Sequence, residues 1–340
     1  MPIGSTSANR FHADHVAALR RGWHPVAGSG EVGSDPVQMW LLDQPWALWR
    51  DDSGTPLAFL DRCPHRLAPL SAGERCEDGG VRCAYHGWRF DAGGTCTAIP
   101  ALGPDGTIPP RARLTPAAAV AERGGLIWIA PASPAAPLID VDPPDGALVG
   151  ALAPARAQID PGEMIDNFLD VAHFPFVHAG TFGTPDSDRA AEYDLTLTEH
   201  GFVAVTEHEF ANHEDAGVAA GVRPLVQRRR MTYTYVPPFS ATLRLDYLDA
   251  GGTNLILFAV QSERPGTSRV HTVLFRNDVA ADAMPSALEF EQRVLDEDLA
   301  VQTSLGVTLP LDLTVEVHTK ADRLTIELRR SLARFLAAAG

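Results

Sequence analysis

Two short motifs within the first hundred residues constrain the fold of this chain more than any other feature. Cys63-Pro-His65 is followed, after seventeen residues, by Cys83-Ala-Tyr-His86. Each motif supplies one thiolate and one imidazole, whereas zinc sites with two cysteines and two histidines usually place both sulfurs in one loop. The backbone must therefore bring two separate loops together at one site.

A [2Fe–2S] cluster with cysteines on one iron and histidines on the other requires this mixture of ligands. Neutral histidines in place of thiolates remove negative charge, so the reduction potential rises to roughly −150 to +300 mV. We therefore predict that Cys63, His65, Cys83 and His86 bind such a cluster, and that the site relays electrons. A zinc site in a binding module is the alternative.

The two loops resemble those of a known family. Residues 60–66 (LDRCPHR) and 83–88 (CAYHGW) look like the cluster loops of Rieske non-heme iron oxygenases, which hydroxylate or demethylate their substrates. Respiratory Rieske proteins carry an additional cysteine five residues after the first ligand, and this chain has Ala68 there. The resemblance therefore implies the oxygenase branch.

A second pair of histidines follows about ninety residues downstream. His173 and His178 are five residues apart, which an unbroken helix would place about 140° apart around its axis. Pro175 lies between them and distorts such a helix, so both imidazoles can turn toward one point. Two histidines with one carboxylate form the facial triad of non-heme Fe(II) oxygenases.

The carboxylate is predicted from a helix expected at residues 285–305. Asp298 falls on the apolar stripe of that helix, whereas Asp296 lies about 200° away. A lone carboxylate on an apolar face is costly unless a metal compensates it. We therefore predict Asp298 as the third iron ligand in preference to Asp296 and Glu297, with a capped or partly exposed aspartate as the alternative.

Asp170 and Asn167 complete the predicted second site. Asp170 precedes His173 by one turn, where a carboxylate can hydrogen-bond the outer nitrogen of a metal-bound imidazole. In the resembling family an Asn precedes an Asp-x-x-His-x(4)-His motif, and Asn167, Asp170, His173 and His178 match it. The resemblance places Asp170 and Asn167 among the catalytic residues. It also implies a homotrimer in which the cluster of one subunit feeds the iron of the next. His86 of the first subunit would contact the bridging Asp170 of its neighbour.

The chain reads as two domains. Short apolar runs between turn residues predict an all-β Rieske [2Fe–2S] domain over residues 20–135. The Pro- and Ala-rich residues 136–160 predict a linker, and residues 1–19 an N-terminal extension. Alternating strands and helical stripes predict an α+β catalytic domain over residues 161–340, with an antiparallel sheet and helices carrying the mononuclear iron.

Composition excludes several function classes. A net charge of −15 argues against nucleic acid, which requires a basic surface. The sequence has no apolar run of the length that a membrane span requires and no secretory signal, so we expect a cytoplasmic protein. Five arginines nevertheless crowd the cluster segment and predict either a solvated surface or a docking rim for an acidic electron donor: Arg62, Arg66, Arg75, Arg82 and Arg89.

The predicted function is the terminal oxygenase of a multicomponent Rieske monooxygenase. It would use O2 and external electrons to hydroxylate or O-/N-demethylate a small aromatic substrate, as the homo-oligomeric vanillate- and dicamba-type enzymes do. The chain has no flavin or nicotinamide fingerprint, so NAD(P)H would act only through a separate ferredoxin or flavin reductase. The alternatives are a ring-cis-dihydroxylating or angular dioxygenase, and a Rieske electron-transfer protein without oxygenase activity.

The substrate pocket is predicted along the strands between residues 203 and 275. Aromatic side chains there could form its walls or belong to the core: Tyr233, Tyr235, Phe239 and Phe258. Arg228, Arg229 and Arg230 alternate faces on one strand, so one of them could point inward and meet a carboxylate.

Overall fold

The computed structural model describes residues 4–179, 181–182, 192–212, 218, 220–306 and 308–340. The chain divides into two compact units. The first, called the β unit here, contains Arg20–Ala135 and Ser262–Arg264. The second, called the α+β unit, contains the chain up to Leu19 together with Ala136–Gln261 and Pro265–Gly340.

The β unit is built from ten short strands. They are β1 His24–Gly28, β2 Val37–Leu41, β3 Gln44–Arg50, β4 Pro56–Leu60, β5 Glu74–Arg75, β6 Val81–Arg82, β7 Arg89–Phe90, β8 Cys96–Ala98, β9 Ala119–Arg123 and β10 Leu126–Ala130. They form three antiparallel sheets in the orders β1-β10-β9, β2-β3-β4 and β5-β6-β7-β8. Cys63 and Cys83 lie in a buried cluster with Trp49, Phe59 and Phe90, so the core of the unit itself supports the two motifs.

The α+β unit is organised around one antiparallel sheet. Its strands are β11 Leu148–Ala151, β12 Ala155–Ala157, β13 Asp194–Leu197, β14 Phe202–Ala211, β15 Val226–Val236, β16 Ser240–Tyr247, β17 Thr253–Arg264 and β18 Thr267–Arg276. They pair in the order β11-β18-β17-β16-β15-β14-β13, and β12 also pairs with β18. The last three residues of β17 group with the β unit. Buried residues alternate along β15, as the period of two in its sequence predicts.

The segment predicted as a linker differs in the structure. Residues 136–160 contain β11 and β12, which pair with β18 through Gly150 opposite Leu274 and Arg156 opposite Arg269. Proline and alanine do not form the alternating pattern of a strand, so the sequence gives no strand signal here. These strands form because the edge of β18 would otherwise have unpaired backbone N–H and C=O groups. An edge strand accepts a partner through its main chain, whatever the side chains of that partner are.

Five α-helices whose bounds lie in the described part of the chain accompany the sheet. They are α1 Gly4–Leu19, α2 Pro161–Leu169, α3 Phe174–Val177, α4 Met284–Leu305 and α5 Arg323–Ala339. α2 begins at Pro161, because the Asp160 side chain accepts the N–H of Gly162 and caps the helix. It ends at Leu169, where Asp170 adopts an extended backbone with φ −81° and ψ 119°.

The region before the β unit is also ordered as a helix. α1 packs against α5, so the predicted N-terminal extension joins the α+β unit. None of the helices in the described part of the chain is long and apolar enough to cross a membrane. The predicted α+β class, with an all-β N-terminal part followed by an antiparallel sheet and helices, is confirmed.

Candidate active site and metal centres

The two Cys-His motifs occupy loops with the same backbone hydrogen-bond pattern. The N–H of Cys63 donates to the carbonyl of Ala68 at 2.8 Å, five residues further on. The N–H of Cys83 donates to the carbonyl of Trp88 at 2.9 Å, again five residues further on. The loops are therefore equivalent turns, which explains why each can supply one sulfur and one nitrogen ligand.

A left-handed residue closes each turn. Leu67 has φ 59° and Gly87 has φ 68°, and each lies four residues after its cysteine. Their N–H groups donate to the carbonyls of Cys63 and Cys83 at 2.8 and 3.0 Å. Positive φ is uncommon for leucine, so the Leu67 conformation is imposed by the loop and its hydrogen bonds.

The four candidate ligands converge on one place with the chemistry that a cluster needs. Cys63 and Cys83 are buried, and burial, with the adjacent Cys83 thiol, raises the pKa of Cys63 to about 11. The rings of His65 and His86 lie 4.4 Å apart between centroids. The Nδ1 of His65 is buried and has no hydrogen-bond partner among the described residues. Positive iron would stabilise the buried thiolates and accept this lone pair, so the residues fit a [2Fe–2S] cluster.

Asp61 holds the ends of the first cluster loop together. Its buried carboxylate accepts hydrogen bonds from the Ser71 N–H at 2.8 Å and hydroxyl at 2.5 Å, and from Gln38 Nε2 at 2.6 Å. Asp61 precedes the loop and Ser71 follows it. No local pattern in the sequence relates these two residues, although the aspartate stands beside a ligand motif and the serine follows it ten residues later.

The second candidate centre lies at the junction between α2 and α3. His173 and His178 lie at the two ends of the short α3, whose second residue is Pro175. Their Nε2 atoms are 3.1 Å apart, and Asp298 Oδ1 lies 3.4 Å from the first and 3.2 Å from the second. Metal–ligand bonds of roughly 2.1 Å place neighbouring ligands of an octahedron about 3 Å apart. The three atoms therefore have the spacing of one triangular face of a six-coordinate metal.

Each imidazole contacts a carboxylate through its Nδ1, so both Nε2 atoms can bind a metal. Glu297 Oε2 lies 2.7 Å from His178 Nδ1, and Asp170 Oδ2 lies 3.5 Å from His173 Nδ1. The buried Asp298 Oδ1 accepts no hydrogen bond from the described residues. This donor set fits an iron ion, with His173, His178 and Asp298 grouped as the sequence predicts.

The charges around His173 are those of a cation site. Burial lowers the pKa of His173, but the carboxylates of Asp170 and Asp298 outweigh that effect and raise it to about 9. Burial raises the pKa of Asp298, and the two imidazoles outweigh this effect and lower it. A positive charge is therefore favoured among these side chains, and a metal ion supplies one without protonating the ligands.

Distant segments support α2, and these contacts were not predicted. Gln302 Nε2 of α4 donates to Asn167 Oδ1 at 2.8 Å. Arg329 of α5 lies 3.0 Å from Asp166 of α2 and 3.0 Å from Glu316. Asn167 thus lies beside the centre and is hydrogen-bonded to the same helix that carries Asp298.

A cavity opens beside the second centre. It encloses about 1050 Å³ free of protein atoms, part of it open to solvent, and its lining includes His173, His178 and Asp298. Tyr233 and Phe258 line it as the sequence suggests. The other two aromatic candidates belong to the core among the described residues: the Tyr235 hydroxyl donates to Pro238 O, and Phe239 is buried.

The three consecutive arginines of β15 separate as their alternation predicts. Arg228 pairs with Asp249 at 2.8 Å and Arg230 with Glu207 at 2.6 Å, both at the surface. Arg229 is buried and lines the cavity. The middle arginine is therefore the one that faces inward.

Comparison with protein families decides what kind of protein this is. The Rieske [2Fe–2S] domain matches residues 22–116, and the vanillate O-demethylase oxygenase C-terminal domain matches residues 160–338, more than half of the chain. The chain belongs to the Rieske oxygenases of the vanillate O-demethylase family. The predicted family is confirmed, as are its cofactors, a Rieske [2Fe–2S] cluster and a mononuclear iron that works with O2.

Individual relatives of this Rieske oxygenase differ in how much of their length they share with it. Methylxanthine N3-demethylase NdmB of Pseudomonas putida is 30% identical over 333 residues, covering 92% of this chain and 88% of that protein. Chlorophyllide a oxygenase of Chlamydomonas reinhardtii is 39% identical over 170 residues, covering 48% of this chain and 25% of that protein. The structure of Pseudomonas putida CBB5 NdmA with caffeine has a TM-score of 0.79 at 25% identity, covering 94% of this chain and 92% of that one.

Proposed function

We propose that this protein is the terminal oxygenase of a multicomponent monooxygenase that demethylates or hydroxylates a small aromatic substrate. The observation that carries the proposal is the triangle of His173, His178 and Asp298 in the wall of a largely apolar cavity. NdmB, which is named a methylxanthine N3-demethylase, supports demethylation, and so does the NdmA structure with caffeine.

The residues have distinct roles in this proposal. Cys63, His65, Cys83 and His86 would hold the [2Fe–2S] cluster, and His173, His178 and Asp298 the mononuclear iron. When bound, the two centres supply electrons and activate dioxygen, so that one oxygen atom enters a substrate C–H bond. The second oxygen atom leaves as water with two protons and two electrons. If the carbon is an O- or N-methyl group, its hydroxylated form breaks the C–O or C–N bond and releases formaldehyde.

The side chains around the iron ligands orient them and shape the space beside them. Glu297 would hold the His178 imidazole in the tautomer whose Nε2 carries a lone pair, through its contact at 2.7 Å. Asp170 would do the same for His173 and, in a homotrimer, would bridge His173 to the cluster of a neighbouring subunit, so that electrons could pass from that cluster to the iron. Asn167, which lines the cavity and accepts from Gln302, would position the helix that leads to Asp170.

The electron donor is proposed to be a separate ferredoxin or flavin reductase that draws on cytoplasmic NAD(P)H. Arg62, Arg66 and Arg89 are exposed beside the cluster motifs, and they would attract an acidic donor. The other two arginines of the segment are engaged locally, because Arg75 pairs with Asp52 and Arg82 pairs with Glu74. The proposed docking rim therefore consists of three arginines.

Iron content and product analysis test the function together. We expect about three irons per chain, two in the cluster and one in the triad, and formaldehyde release from a panel of methoxylated and N-methylated aromatics. Asp298→Ala should abolish product and remove one iron while the Rieske absorption stays, and Asp296→Ala is the matched control on the exposed side of α4. About two irons per chain and no product would instead indicate an electron-transfer protein, and a cis-diol product a dioxygenase.

A further inference from the structure

A buried carboxylate lies beside the first cluster loop. Asp61 is two residues from Cys63, and two residues of chain span at most about 7 Å. The N–H of Asp61 donates to the carbonyl of Pro45 at 2.9 Å, and the residue is only 2% exposed. The carboxylate is therefore held in a fixed place, on the order of 10 Å from a cluster that Cys63 binds.

In the described part of the chain, this carboxylate accepts hydrogen bonds from uncharged groups only. Ser71 donates its N–H at 2.8 Å and its hydroxyl at 2.5 Å, and Gln38 donates from Nε2 at 2.6 Å. The Gln38 amide is oriented in turn by Trp40, whose Nε1 donates to Gln38 Oε1 at 3.2 Å. Asp61 thus acts purely as an acceptor, which is how an ionised carboxylate behaves. Its negative charge is hydrogen-bonded but not neutralised by these partners.

The geometry of the loop does not require this charge. The second cluster loop has the same backbone hydrogen-bond pattern, and the residue two positions before Cys83 is Val81. Val81 is buried and apolar, so an equivalent turn forms with no carboxylate at that position. Removing a carboxylate from water is costly, and an amide oxygen could accept the Ser71 N–H at a lower cost. The charge of Asp61 therefore has an effect beyond closing the loop.

A fixed negative charge acts unequally on the two oxidation states of a cluster. Reduction adds one electron, and a nearby anion disfavours the added negative charge. At a separation of about 10 Å and an effective dielectric constant of about 20, the ratio of oxidised to reduced cluster changes on the order of tenfold. A tenfold change corresponds to about 59 mV for a one-electron couple.

We propose that Asp61 sets the reduction potential of the Rieske cluster, because its buried negative charge favours the oxidised state. Ser71 and Gln38 are positioning residues, since they hold the carboxylate in place. One electron enters the cluster from the external donor and leaves it toward the mononuclear iron. A lower potential makes the reduced cluster the stronger donor in the second of these transfers. The proposal concerns the cluster alone and does not depend on the substrate.

A redox titration of the holoenzyme tests the proposal. The cluster is equilibrated with mediator dyes in the absence of substrate and O2, and its visible absorption gives the midpoint potential. Asp61→Asn keeps the size of the side chain and one acceptor oxygen but removes the charge. We expect its midpoint potential to rise, so that the ratio of oxidised to reduced cluster at a given potential falls about tenfold.

Two control variants separate the charge from a loosened loop. Ser71→Ala removes a hydroxyl donor and keeps the charge of Asp61, so the potential should not rise. Asp51→Asn removes a carboxylate of the same unit that also accepts from a serine hydroxyl and two N–H groups, but at the surface. Water and salt screen a charge there, so the ratio should stay within about twofold of wild type.

Asp61→Glu keeps the charge while it changes the length of the side chain, and its potential should stay near that of wild type. This variant tests the proposal even if Asp61→Asn does not fold. The EPR spectrum and the visible absorption of the cluster verify that each variant is folded and loaded.

Three results would overturn the proposal. The first is a wild-type potential in Asp61→Asn. The second is an equal rise in Ser71→Ala, since the loop and not the charge would then set the potential. The third is a rise in Asp61→Glu as large as the one expected for Asp61→Asn. Because no measurement uses a substrate, failure of the proposed function would leave this test unaffected.

Discussion

Replacing Glu297 by alanine tests how the second metal centre is held. Glu297 lies next to the ligand Asp298 on α4, and its Oε2 contacts both His178 Nδ1 at 2.7 Å and the Thr181 hydroxyl at 3.0 Å. We expect Glu297→Ala to weaken Fe(II) binding without unfolding the protein. The reason is that His178 would lose the acceptor that fixes its tautomer and its ring orientation.

The size of the effect follows from the geometry. Removing an outer partner of a metal-bound imidazole typically costs 10- to 100-fold in metal affinity, or about 1.4–2.7 kcal/mol. The Glu297 side chain is 29% exposed, so water partly replaces the lost contact and screens its charge. We therefore expect the lower part of that range, about 10- to 30-fold. Glu297→Gln keeps an acceptor oxygen without the charge and should fall between wild type and alanine.

The assay is competition for Fe(II) with a chromophoric chelator, after the mononuclear iron has been removed and the Rieske cluster kept. The cluster absorption reports in the same sample that the β unit is intact. Asp296→Ala is the matched control, since it removes an exposed carboxylate from the preceding position, where Gln292 donates to it. Iron affinity of Glu297→Ala within twofold of wild type would refute the orienting role.

Two further predictions concern α2 and its end. Asp170→Asn should slow the oxidation of a pre-reduced cluster during turnover with both metals still bound, and stopped-flow absorption at wild-type rates would exclude the bridging role. Burial, with the neighbouring Asp166 and Asp160, raises the pKa of Glu163 from 4.5 to about 8. The folded state then binds a proton that the unfolded chain releases, so the contribution of Glu163 to stability is fully present below about pH 4.5 and falls by on the order of 4 kcal/mol as the pH rises to 8. Glu163→Gln should flatten this dependence in denaturant titrations, and an unchanged slope would contradict the assignment.

The residues proposed for both centres could be selected from the sequence because their motifs are local or periodic. Each Cys-His motif lies within a single loop, and its cysteine and histidine fall within four consecutive residues or fewer. Asp298 could be selected because a helix of known period places it on an apolar stripe, and Asp296 is indeed exposed. Pro175 was expected to distort a helix between the two histidines; in the structure it is the second residue of the short α3, and the break between α2 and α3 precedes it.

The supporting contacts could not be predicted, because they join residues that no local pattern relates. Glu297 and His178 are 119 residues apart, and Gln302 and Asn167 are 135 apart. Only the packing of α4 on α2 and α3 brings them together. The strands β11 and β12 were missed for a similar reason, since their pairing depends on the free edge of β18 and not on their own composition.

The two centres therefore depend on different contacts: the cluster ligands on local contacts within one unit, and the triad on the packing of helices. The cluster loops are closed by hydrogen bonds within five residues of each cysteine and by the Asp61–Ser71 contact across ten residues, all inside the β unit. The triad needs α3 and α4 to be docked, since His173 and His178 come from one segment and Asp298 from another. Partial opening of α4 would separate Asp298 and Glu297 from the histidines together, whereas the cluster ligands would keep their geometry. Mild destabilisation should therefore cost the mononuclear iron before it costs the cluster.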